Sequence, residues 1–330
     1  MVARVGLDGD RCGSAGLSCV GRPAQHPLAS AQGAPMNGAV GFIGLGRMGR
    51  AICQRLISHR IQLIVHNRSE DKSSELVRQG ALWVPEIRSV ARAANIIFVC
   101  SSGHQAVEQI YHDKNTGLLA NVVEGSIVVD LSTIAPETAI ALHAAFRARG
   151  ADFIECPVSG GVEGALKGAL SAIVSARPAA YSIVRPLLAA FTLMVTFVEV
   201  PGKAQRLKIL NNLAESINLA GAIEVISQGQ ALGLDLESMQ AVFSTCRGRS
   251  AYMQVAMNYA LSQGGSSSVS LAVRCKDLDL AQQQMPIGPS YPLSTVAMAT
   301  FHDLRLTFGD EGDQCLYFSR LSTGNAGSAS

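Results

Sequence analysis

The sequence has no apolar run long enough to cross a membrane as a helix. Its longest, "LLAAFTLMVTFV" at 187–198, has 12 residues, against the roughly 20 that a spanning helix needs. It also lacks charge of one sign: 27 Lys and Arg stand against 25 Asp and Glu. That balance gives no electrostatic footprint for nucleic acid or an anionic membrane surface. The eight cysteines (12, 19, 53, 100, 156, 246, 275 and 315) contain no C-x-x-C pair and no zinc-like spacing with the seven histidines. In a chain of this size they read as buried or free thiols of a reducing compartment, with neither a disulfide framework nor a metal site. The expected location is the cytoplasm. What is present is an enzyme-like composition, 48% hydrophobic and 16% charged over 330 residues, enough to bury a large core in two domains.

Residues 1–36 have no periodicity and are rich in Gly, Ala, Ser and Pro. They read as a disordered tail or a non-native start, with Met36 directly before the first strand, and they lack the continuous apolar core of a secretory signal.

The most informative stretch is "AVGFIGLGRMGRAICQRLISHRIQLIVHNRS" at 39–69. A short apolar strand runs into Gly44-x-Gly46-x-x-Gly49. Apolar residues then recur with helical spacing at Met48, Ile52, Leu56 and Ile57, and a second apolar strand follows. Strand, glycine turn, helix and strand are the context in which G-x-G-x-x-G signifies a dinucleotide site. Gly44 permits the tight turn, Gly46 lets backbone approach a pyrophosphate, and Gly49 lets helix pack on strand. Leu45 and Met48, between the glycines, belong to the same cofactor loop. The tip of the second strand reads His66-Asn67-Arg68-Ser69, with no acid before Glu70. A carboxylate there would bind the ribose 2′-OH of NAD(H), whereas Arg68 can hold a 2′-phosphate by charge-assisted bonds. With Asn67 and Arg68 at the tip, NADP(H) is favoured and NAD(H) is the alternative.

Apolar strands at 94–100, 126–133, 151–161, 170–176 and 194–200 alternate with helical stretches such as 136–150. This pattern predicts an α/β, doubly wound Rossmann-type domain over 37–200 with a parallel sheet. Ligand contacts are expected at the strand ends "CSSG", "DLST" and "CPVSGG". After about residue 202 the strands stop. Helices are expected over 202–232, 235–245, 249–263, 270–285 and 292–307, giving an all-helical domain over 201–330 for substrate and oligomerisation. The first of these carries Lys208 and Asn212, four apart and so on one face. By itself such a pair reads as a solvated polar stripe, and the rest of the sequence decides otherwise.

Five ordered motifs, "GFIGLGRMGRAI", "DLSTIAPET", "CPVSGGVEGALKGAL", "KILNN" and "KDLDLA", resemble those of the β-hydroxyacid dehydrogenases. That group includes 3-hydroxyisobutyrate dehydrogenase, tartronate semialdehyde reductase and L-threonate dehydrogenase, with a 6-phosphogluconate dehydrogenase-like C-terminal domain. The resemblance implies a site in the cleft between the two domains. It makes Lys208 the catalytic lysine, with Asn212 beside it orienting substrate. Ser159, Gly160 and Gly161 become the substrate-binding turn. Thr133 becomes a cofactor contact, and Lys276 a lysine near the nicotinamide. The chemistry agrees: oxidising an alcohol needs a side chain to exchange the hydroxyl proton, and a desolvated lysine can do so. Asn212 can offer amide donors to the oxygen.

The implied function is an NADP(H)-dependent oxidoreductase interconverting a small β-hydroxy acid with its semialdehyde or keto form, as a homodimer or homotetramer. The alternatives are an imine reductase-like enzyme, whose members usually lack this lysine, and a non-catalytic dinucleotide-binding scaffold. Departures from the family pattern include Arg206 in the turn before Lys208 and Glu155 in place of the usual Asp. Cys156 reads as a packed thiol. Asp277 and Asp279 face different ways on a helix and form no dyad. Side chains of 243–254 are expected to shape the pocket, with Arg247 or Arg249 either a carboxylate binder or a solvated cation.

Overall fold

The computed structural model describes residues 24–27 and 38–326, apart from Ser266 and Ser268. Ten strands form one sheet: β1 (Ala24–Pro27), β2 (Val40–Ile43), β3 (Leu63–His66), β4 (Leu82–Trp83), β5 (Ile96–Val99), β6 (Ile127–Asp130), β7 (Asp152–Glu155), β8 (Val158–Ser159), β9 (Leu170–Ser175) and β10 (Thr192–Val198). Their order is β1-β10-β9-β7-β6-β5-β2-β3-β4, with β8 beside β9. From β4 to β7 every pairing is parallel. β2, β5, β6 and β7 each carry at least three fully buried residues, as strands covered on both faces must.

The sheet is not wholly parallel as expected. β9 runs antiparallel to β7 and β8, and β1 runs antiparallel to β10. The cause is local. After β7 the chain turns back through β8 and the Gly160-Gly161 turn instead of crossing over. β1 also lies within the stretch read as a tail. The rest of that stretch, Cys12 and Cys19 included, lies outside the described residues.

One apolar cluster on each face of the sheet fills the first domain. A third is built from the C-terminal helices. The principal helices are α1 (Arg47–Ser58), α2 (Pro136–Arg147), α3 (Gly161–Lys167), α4 (Lys203–Ala231), α5 (Leu236–Thr245), α6 (Ala251–Leu261), α7 (Leu271–Gln284), α8 (Pro292–Phe308) and α9 (Tyr317–Ala326). α4 has 29 residues, about 43 Å at 1.5 Å per residue, and helices α5 to α9 gather around it. Gly229 does not break it. A Cβ there would run into the Met239 sulfur, so the glycine lets α5 approach closely. Ser250 and Asp235 start α6 and α5 by accepting the backbone N–H three residues on, which satisfies donors a helix start leaves unpaired. No helix among the described residues is long and apolar enough to cross a membrane.

Candidate active site

β2 and its neighbours β3 and β5 diverge at the switch point of the sheet, where a crevice opens beyond the strand ends. A cleft of about 1820 Å³ continues from it to α4, α6 and α7. That space is larger than the 300–1000 Å³ usual for a drug-sized ligand and leaves room for a dinucleotide and a second small molecule.

The glycine turn is shaped by close approach. A Cβ on Gly44, whose φ is +97°, would meet the Cys100 carbonyl, and one on Gly49 would meet the Gly44 carbonyl. A Cβ on Gly46 would meet nothing. Its open face is the one a pyrophosphate needs beside the start of α1. Gly44, Gly46, Met48 and Gly49 line the crevice, with Asn67, Arg68, Thr133 and Lys276. Leu45 does not. Its side chain is fully buried and its N–H is donated to Asn67 Oδ1 at 2.9 Å. Asn67 thereby braces the turn from the tip of β3. Arg68 is exposed at that tip, and Lys72 lines the same edge. These residues fit a nicotinamide dinucleotide, with the open face at Gly46 as the place for its pyrophosphate.

Lys208, Asn212, Ser159, Gly160 and Gly161 all line the other end of the cleft. Gly160 and Gly161 take φ of +128° and +67°, conformations that L side chains resist, and so turn the chain out of β8 into α3. Lys208 is 6% exposed. Burial lowers its pKa from the ordinary lysine value, and the charges of Glu215 and Asp277 push it partly back.

Asn212 does not simply offer its amide to a ligand. Its Nδ2 donates to Asp277 Oδ2 at 2.7 Å, and its buried Oδ1 has no hydrogen-bond partner among the described residues. Asp277 Oδ1 is paired with Lys276 Nζ at 2.7 Å, and that ammonium donates to the Thr133 carbonyl at 2.8 Å. Asn212 and Thr133, from different domains, are therefore linked through Asp277 and Lys276. Asp279 points away, to His302 at 2.7 Å.

Two residues escaped the sequence reading. Glu215 accepts from Ser159 Oγ at 3.1 Å, Asn211 Nδ2 at 2.6 Å and Tyr252 OH at 2.6 Å. Arg274, 2% exposed, stacks over the Tyr252 ring at 5.3 Å. It donates to Gln314, Tyr252, Ser216 and the Asn212 carbonyl. The available signal was spacing: Glu215 lies seven residues after Lys208, two turns along the same face. Within 243–254, Ala251 and Tyr252 line the cleft, while Arg247 and Arg249 are exposed outside it. Arg206 is likewise exposed and outside the cleft lining. Cys156 is fully buried, and burial pushes its thiol pKa up, as suits a packed side chain.

Residues 39–199 match the family profile described as the NAD binding domain of 6-phosphogluconate dehydrogenase. Residues 202–318 match the one described as NAD-binding of NADP-dependent 3-hydroxyisobutyrate dehydrogenase. The chain is 30% identical over 262 residues to 2-(hydroxymethyl)glutarate dehydrogenase of Eubacterium barkeri, covering 79% of this chain and 86% of that one. It is 32% identical over 257 residues to the mitochondrial 3-hydroxyisobutyrate dehydrogenase of Homo sapiens, covering 74% of each. Among solved structures it resembles Psf3 in complex with NADP+ and 2-OPP, at 65% identity and a TM-score of 0.84 over 86% of this chain and 100% of that one. A 3-hydroxyisobutyrate dehydrogenase from Salmonella typhimurium, 22% identical with a TM-score of 0.77 over 86% of this chain and 99% of that one, shares the fold. With its Rossmann domain, its helical domain and the cleft between them, the chain belongs to the β-hydroxyacid dehydrogenase family of NAD(P)-dependent oxidoreductases acting on CH–OH groups.

Proposed function

We propose that this enzyme interconverts a short-chain β-hydroxy acid and its semialdehyde or keto form with NADP(H), using Lys208 as general acid and base. The observation that carries this reading is the burial of Lys208 at the cleft, beside Ser159 and Asn212 and opposite the glycine turn. A bound nicotinamide supplies the hydride acceptor or donor. Lys208 Nζ, when neutral, takes the hydroxyl proton as the alcohol is oxidised, and as an ammonium returns it to the carbonyl oxygen in reduction. Burial favours the neutral form and so brings the lysine nearer the working pH. Asn212, its amide oriented by Asp277, flanks that oxygen, and Ser159 contacts another group of the substrate.

The preference for NADP(H) rests on Arg68 and Lys72 at the β3 edge, where no acid precedes Glu70. The 65%-identical relative, whose complex contains NADP+, supports the same choice. Relatives named for 3-hydroxyisobutyrate and 2-(hydroxymethyl)glutarate support a small hydroxy acid as substrate. A turnover screen of small hydroxy acids and semialdehydes, each with NADPH and NADH, tests the proposal. Activity on none of them, or a uniform preference for NADH, would overturn it.

A further inference from the structure

The cleft contains a carboxylate that the acid–base chemistry leaves without a task. Glu215 Oε1 accepts from Ser159 Oγ and Asn211 Nδ2, and its Oε2 accepts from Tyr252 OH and lies 3.5 Å from Arg274 Nη1. These donors come from β8, α4, α6 and α7, so the carboxylate stands where both domains meet. Burial opposes its charge, but Lys208, Arg274 and the bonds from Tyr252 and Asn211 outweigh burial and hold its pKa below the usual range. An ionised carboxylate carries no hydrogen. In the bond between Ser159 and Glu215 the serine hydroxyl is therefore the donor.

A serine hydroxyl has one hydrogen and two acceptor lone pairs. We infer that Glu215 is a positioning residue that fixes the direction of the Ser159 hydroxyl, so that Ser159 meets substrate as a hydrogen-bond acceptor. The inference rests on the proposed role of Ser159 as a substrate contact and narrows it. The substrate group that docks on Ser159 must bring its own hydrogen, as a second hydroxyl does and a bare carboxylate oxygen does not, because the hydrogen of the reacting hydroxyl goes to Lys208. Arg274 cannot take over anion binding in its present setting, because all five of its N–H groups are engaged by Gln314, Tyr252, Ser216 and the Asn212 carbonyl.

The test is a double-mutant cycle in the full chain with Ser159→Ala, Glu215→Ala and both together. Glu215→Leu, which also removes the acceptor, replaces Glu215→Ala if the latter does not fold. KM and kcat are measured for the hydroxy acid that the wild type turns over fastest, and NADPH affinity by fluorescence. Each single change should raise KM about tenfold, the loss of one charge-assisted bond or of the acceptor it positions. The double variant should be no worse than the worse single, with NADPH affinity held within about twofold. Singles whose effects multiply in the double variant would show that Glu215 does not act through Ser159. A parallel fall in NADPH affinity would make its role merely structural. Turnover that survives Lys208→Ala would sink the acid–base reading instead, and would leave this coupling measurable.

Discussion

The Gly202 N–H donates to Glu155 Oε1 at 2.6 Å, fastening the start of α4 to the strand that runs on into Ser159. Glu155 Oε2 takes the Gln205 N–H at 3.3 Å, and His143 Nε2 lies 3.0 Å from Oε1. The Gln205 side chain then accepts from Ile134 N and donates to the Ser132 carbonyl, each at 3.1 Å. A carboxylate from one domain thus caps a helix of the other, satisfying two N–H groups that a helix start leaves open and complementing its dipole.

Glu155 is fully buried, so Glu155→Ala leaves those donors without partners. It should cost about 1–3 kcal/mol of stability and lower kcat, because Lys208 sits less than two turns further along α4. Chemical denaturation and steady-state kinetics check this. A variant within about 0.5 kcal/mol of the parent, the range of a neutral surface change, would show that the cap contributes nothing.

Lys208→Ala should lower turnover by about 10²–10⁴-fold, the usual size of an acid–base contribution, with NADPH affinity little changed. Lys208→Arg should not rescue, since a guanidinium stays protonated near neutral pH. A folded, NADPH-binding Lys208→Ala enzyme with wild-type turnover would defeat the mechanism.

The pH dependence follows from the lowered pKa of Lys208, whose first cause is burial. Oxidation needs the neutral amine, so its kcat/KM should rise with pH through the folded pKa and level off above it. Reduction needs the ammonium and should fall across the same window. The unfolded chain binds this proton more tightly than the folded one. Folding stability therefore gains from Lys208 as pH rises from the folded towards the unfolded value. Profiles of both directions, repeated for Lys208→Ala, should lose this limb in the variant.

Arg68→Ala should narrow the preference for NADPH over NADH by about 1.5–3 kcal/mol, the value of one charge-assisted contact. Dissociation constants for the two cofactors decide it. Unchanged discrimination would move the reading of the 2′-phosphate to another residue, with Lys72 the neighbour to test.

A homodimer or homotetramer is expected through the outer face of α4 and its surroundings. Leu210 is 53% exposed there, with Leu207 exposed one turn before it and Val225 about 22 Å further along the helix, while Ile223 is buried within its own domain. Leu210→Glu should shift light-scattering mass towards the monomer. A wild-type protein that is only monomeric at micromolar concentration would refute the assembly.

Local pattern settled much of this molecule. A strand, three spaced glycines and an apolar helix face dictate their own geometry, because turn sterics and burial act over a few residues. The cofactor turn and the helical second domain were therefore legible in the sequence. So was the shared face of Lys208 and Asn212, which helical periodicity alone defines. The tertiary structure decided what each polar group is bonded to. Leu45 is buried, and its N–H is taken by Asn67, 22 residues on. Asn212 gave a hydrogen to Asp277, 65 residues away. Glu215 reached Ser159 across 56 residues. The return of β9 antiparallel to β7 depended on where the Gly160-Gly161 turn pointed the chain. Periodicity assigns a residue to a face. Hydrogen-bond partners, and the charge state they impose in a buried site, depend on which distant segments that face meets.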